Sequence, residues 1–228
     1  MAQFVKQEFE SMSANTQVIR SGSLDAGASR VLRNTYALLA MTLMFSALTA
    51  SASMAMAIPY MGLWTLLPYF VLLFLVEKNK NSAMGLVCVF ALTGWLGFSL
   101  GPILNHYVGI SGFEPVLTAL GGTALIFFGL SAYVLVTRRD FGFATGFLTT
   151  GILVAFVAGI ANAFLQIQTL ALVVSCMFLF LSSGLIMWQT SQIIHGGERN
   201  YISATVTLYV MIYNLFTILL SLLGGGDD

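Results

Sequence analysis

Charge is what this sequence has least of. Of its 228 residues 8% are Asp, Glu, Lys or Arg and 58% are hydrophobic, with a mean hydropathy of +0.90. A soluble domain carries about 25% charged residues. A chain this poor in charge cannot cover its surface with water-compatible side chains, so lipid is the solvent it is built for. Nine cations balance nine anions, which leaves no basic footprint for nucleic acid. Cysteine is almost missing as well. Cys88 and Cys176 both lie in apolar runs, so no disulfide framework or metal spacing exists and each is expected to be a small buried hydrophobe. No nucleophile–base pair, phosphate loop or zinc-protease motif is present, so the expectation is a protein that is not an enzyme and needs no cofactor or metal. No apolar core follows the first charge, which argues against a signal peptide.

What is there is a series of long apolar runs. We expect an all-α membrane protein of seven transmembrane helices, at about 34–57, 62–76, 82–105, 115–137, 141–164, 169–194 and 201–223. Residues 1–29, polar and low in aromatics, read as a mobile tail ahead of a 30–228 transmembrane domain. Pro59 ends the first run, and Pro68 is expected to kink the second. Gly97 and Gly101 in the third stand four apart, a spacing that lets helix backbones approach closely. Between the sixth and seventh runs lies a tight polar turn, His195-Gly-Gly-Glu-Arg-Asn200, which holds nearly all the charge in this part of the chain. Its glycines permit a helix exit and Asn200 can cap the next helix. Tyr209, Tyr213 and Asn214 within the last run need polar partners, which places that helix among the others and away from lipid.

The cations test this count. Lys6, Arg20, Arg30 and Arg33 precede the first run, Lys78 and Lys80 follow the second, Arg138 and Arg139 the fourth, and Arg199 the sixth. With alternating spans all nine fall on one side. The positive-inside rule then predicts a cytoplasmic amino terminus and a periplasmic carboxyl terminus in a bacterial inner membrane. Inside the spans no formal charge remains, which argues against ion-coupled transport, since such carriers need intramembrane acids or bases. The buried polar set is expected to be the amides Asn105, Asn162, Gln166, Gln189 and Asn214, acting as bridges between helices in preference to binding a ligand. His106, in the third outer loop, and His195, beside Glu198 and Arg199, read as peripheral turn residues in preference to sensors.

Several segments, in order, carry a family likeness: Gly101-Pro-Ile-Leu-Asn105, Ile193-Ile-His-Gly-Gly-Glu-Arg-Asn-Tyr-Ile202 and Leu208-Tyr-Val-Met-Ile-Tyr-Asn-Leu-Phe216. Together they resemble the Bax inhibitor-1 (transmembrane Bax-inhibitor-motif) family over residues 30–224. Val31-Leu-Arg-Asn-Thr-Tyr36 and Gly121-Gly-Thr-Ala-Leu125 resemble its bacterial YccA-like branch. The resemblance implies seven helices with the last enclosed by the other six. It also implies two roles. In some members an aspartate on each of the last two helices forms a proton-sensitive latch over a calcium leak. The matching positions here are Gln189 and Met211, and neither can ionise. A carboxylate latch therefore cannot operate in that form, and calcium loses its hard oxygen ligands. The other implied role is association with the membrane-anchored ATP-dependent protease FtsH, as a competitive inhibitor that is itself a poor substrate. Residues 1–29 would supply the handle that such a protease pulls, and the helical bundle would resist extraction. The first expectation is thus a protease modulator; the alternative is a passive calcium or other ion leak.

Overall fold

A computed structural model describes residues 26–224. Among them are seven α-helices and two short 3₁₀ turns: α1 Ala26–Ala55, a 3₁₀ turn Gly62–Thr65, α2 Leu66–Asn79, α3 Ala83–Ser111, α4 Glu114–Thr137, a 3₁₀ turn Gly142–Ala144, α5 Thr145–Leu165, α6 Gln168–Ile194 and α7 Tyr201–Gly224. Six helices are long and apolar enough to cross a membrane, and α2 is the exception. Its 14 residues make about 21 Å of helix, short of the ~30 Å hydrocarbon core.

The outside of the bundle is as apolar as its inside. Val136 is 82% exposed and Phe143 84%, and Leu125, Phe164 and Phe180 also face outward. Such side chains would form a large exposed apolar patch in water; in lipid they are ordinary. Cys176 belongs to this outer surface, against expectation, while Cys88 is buried. The apolar character of α6 runs all round the helix, so composition alone does not say which of its faces turns inward.

Helix ends depart from the expected spans for local reasons. α1 begins at Ala26, so residues 26–29 form its first turn and only 1–25 of the expected tail lie outside the described residues. Pro68 does not kink α2. It stands in the first turn, where its missing N–H has no carbonyl to serve. Pro102, by contrast, is inside α3, which continues past it to Ser111. His106 is consequently an exposed helical residue and not part of a loop.

Packing follows the small residues. A Cβ on Gly97 would collide with the Ser46 carbonyl and the Thr49 hydroxyl, and one on Gly101 with the Ser53 side chain. These glycines let α3 lie directly on α1, the most extensive helix pair in the molecule. α7 is packed against α1, α2, α3, α4 and α6, and no residue of it from 201 to 220 is exposed. α5 packs on α6 and stands outside that wall, so five helices and not six surround α7.

Candidate functional site

Three loops meet at one end of the bundle, and they are the loops that carry its cations. Asn200 organises the meeting. Its Oδ1 accepts from the amides of Ile202 (2.9 Å) and Ser203 (3.2 Å), capping α7 as the sequence suggests. Its Nδ2 donates to the Lys80 carbonyl (3.0 Å) and to Asn81 Oδ1 (2.8 Å), tying the turn to the α2–α3 loop. Glu198 accepts from the Asn200 amide at 2.7 Å. Gly196, at φ 76°, takes the left-handed conformation that ends α6.

The same turn grips the α4–α5 linker. His195 places its ring nitrogens 2.9 Å from the Ser191 carbonyl and 3.1 Å from the Arg138 carbonyl. Ser191 accepts from the Phe141 amide (3.0 Å) and donates to the Arg139 carbonyl (3.3 Å). Arg199 donates to the Gly196 carbonyl. Lys80 pairs with Glu77; that hydrogen bond, with the nearby charges of Glu77 and Glu198, holds its ammonium pKa above the usual lysine value. Lys78, Lys80, Arg138, Arg139 and Arg199 thus share one end. Thr205 Oγ1 reaches the Thr35 carbonyl of α1 at 3.3 Å, which brings the Arg30 and Arg33 end of α1 to the same side. At the other end, Asn105 Nδ2 donates to the Met54 carbonyl at 3.0 Å.

Beneath this end lies a polar ladder on α7 that contains no charge. Tyr209, 1% exposed, donates to the Thr93 carbonyl at 3.2 Å and accepts from Ser46 Oγ at 2.5 Å. Tyr213 meets Ser99 Oγ at 3.3 Å. The tyrosines' need for partners is visible in sequence. Ser46, Thr93 and Ser99 are not singled out there, because small hydroxyl residues are scattered through every helix.

The expected amide set divides. Gln189 is 3% exposed, and its Nε2 has no hydrogen-bond partner among the described residues. Thr190 on the same helix, Ser131 on α4 and Thr35 on α1 are buried hydroxyls in the same condition. Asn105 and Asn214 are half-buried. Gln166 is not a buried amide. It is exposed, at φ 53°, in the left-handed residue that stops α5. Asn162 is half-buried and serves that same stop, its Oδ1 accepting from the Ile167 amide at 3.2 Å. Met211 faces α2, where with Tyr69, Glu77, Ser203 and Thr207 it lines a cavity of about 220 Å³; Gln189 is not part of that lining. No cluster of three His, Cys, Asp or Glu side chains that could hold a metal occurs among the described residues.

Fold and site together define a class: an all-helical membrane protein whose loops are stitched at one end and whose apolar interior holds hydroxyls and an amide but, among the described residues, no buried formal charge. The chain belongs to the Bax inhibitor-1 family, matching the family described as "Inhibitor of apoptosis-promoting Bax1" over residues 28–228. It is 53% identical over 204 residues to an uncharacterised protein of Pseudomonas aeruginosa, covering 88% of this chain and 92% of that one. It is 52% identical over 196 residues (86% of this chain, 90% of the relative) to an Escherichia coli K12 protein named "Modulator of FtsH protease YccA". The same figures hold for a protein of E. coli O6:H1 named "Inner membrane protein YccA".

Proposed function

We propose that this chain binds a membrane-anchored ATP-dependent protease of the FtsH type and modulates it by competitive occupancy, with no catalysis of its own. The observation that carries the reading is the 52% identity, along nearly the whole chain, to a protein named as a modulator of FtsH. The cation-bearing end is cytoplasmic in this reading, following the positive-inside rule. α2 and the turn before it complete a seventh crossing. Residues 1–25 serve in this reading as the handle a pulling protease engages. The bundle behind that handle resists extraction, because α7 cannot leave without breaking its contacts to five neighbours. An occupied, slowly emptied protease is an inhibited one.

Support for the carboxylate-free mechanism comes from Gln189 and Met211, neither of which can carry charge. A passive ion leak is the second reading, favoured by the unpartnered buried groups of Gln189, Thr190, Ser131 and Thr35. Two assays separate them. The chain purified with the protease should be recovered as a complex from native membranes and should slow degradation of a membrane substrate, and loss of residues 1–25 should abolish that slowing. Robust calcium flux through proteoliposomes of the purified chain, with no effect on the protease, would replace this reading with the leak.

A further inference from the structure

α1 and α4 both pack on α7 but scarcely on each other. Between them runs a half-open groove of about 420 Å³, floored by Tyr209, Ile212, Tyr213 and Phe216 of α7. It extends from mid-depth, at Ser46 and Tyr209, toward the end opposite the cations, at Leu104 and Val116. Its rim on α1 is Ala47 and on α4 Ala124, both small and exposed, so the slot stays wide. No residue lining it carries a formal charge. From Tyr209 to Phe216 the floor is about 10 Å long, at 1.5 Å per residue.

We propose that this groove holds one phospholipid acyl chain from the leaflet opposite the cation-bearing end. The α7 floor is only about two helical turns long, so a rigid membrane-spanning helix from a second copy would touch it along about a third of its length, whereas a flexible chain can follow it throughout. The walls reject charge, because an ion entering an apolar, hydroxyl-floored slot loses its hydration without gaining a counter-charge. The mouth opens between two membrane-spanning helices at hydrocarbon depth, where acyl chains are the surrounding medium. A single flexible apolar chain is the occupant that satisfies size, charge and access together.

The test is photo-crosslinking of the full chain in vesicles of phosphatidylethanolamine and phosphatidylglycerol. A fraction of the lipid carries a diazirine near the acyl terminus, and adducts are mapped by peptide mass spectrometry. Adducts are expected on α7 between Tyr209 and Phe216, besides those on the outward residues Phe147 and Leu153 of α5. Ala124→Trp, which fills the slot, should reduce the α7 adducts at least tenfold and leave those on α5 unchanged. Ala47→Trp does the same from the opposite wall should the first variant fail to fold. An unlabelled α7 in the unaltered chain would overturn the proposal. So would α7 labelling that persists in a folded, filled variant, or cross-linked dimers bridging α1 and α4 over a lipid-free groove.

Discussion

Tyr209 and Gly97 sit at the same crossing, one supplying a hydroxyl to α1 and α3 and the other removing a side chain so that those helices can meet. Tyr209→Phe deletes the bonds to Ser46 and to the Thr93 carbonyl while keeping the ring. Interhelical hydrogen bonds in membranes average about 0.6 kcal/mol and reach about 1.7, so a loss of ~1 kcal/mol is expected in a reversible unfolding titration. Combined with Ser46→Ala the loss should be less than additive, since both changes remove one bond. Gly97→Val should be far worse, because its side chain meets the Ser46 backbone, which cannot step aside. Gly109→Ala, with open space around it, should leave the melting temperature nearly unchanged and serves as the control. Residue by residue, the sequence is legible where chemistry demands something of a position. Tyrosines in an apolar run need partners, and glycines four apart need a neighbour. Gln166 and Asn162 escaped because an amide at a helix stop looks, in sequence, like an amide at a helix crossing. What separates the two is a left-handed φ at Gln166 that its residue type does not announce.

Among the elements, α7 depends most on how it starts. Asn200→Ala removes the cap, which is worth about 0.5–2 kcal/mol. It also cuts the tethers to Lys80 and Asn81. The expected result is faster proteolysis within 195–200 and weaker amide-exchange protection in the first turn of α7, with the tyrosine ladder still in place. Unchanged cleavage would mean that His195 and Ser191 hold the turn unaided. The existence and order of the helices could be read from hydropathy, and so could the Asn200 cap. The extent of α3 could not, because a proline inside a helix that is packed on two sides is tolerated where an isolated helix would stop. Nor did hydropathy show that α5 stands outside the wall around α7, since a run apolar on all sides carries no record of which neighbour it lost.

For the whole molecule the informative quantity is where charge has been placed. Every described Lys and Arg lies at one end, three loops there are joined through Asn200, Ser191 and His195, and the buried polar side chains among the described residues are hydroxyls and one amide. Such a body can be held and pulled from its charged end. It has little with which to bind a cation at mid-depth. A reporter fused after Asp228 should accordingly be active only on the periplasmic side; activity in the cytoplasm would remove one crossing from the account. The most direct test is kinetic. With the FtsH-type protease and a membrane substrate co-reconstituted, adding the full chain should raise the apparent KM for the substrate and leave kcat unchanged, and a chain lacking residues 1–25 should do neither. A fall in kcat at constant KM, or equal inhibition by the shortened chain, would contradict it.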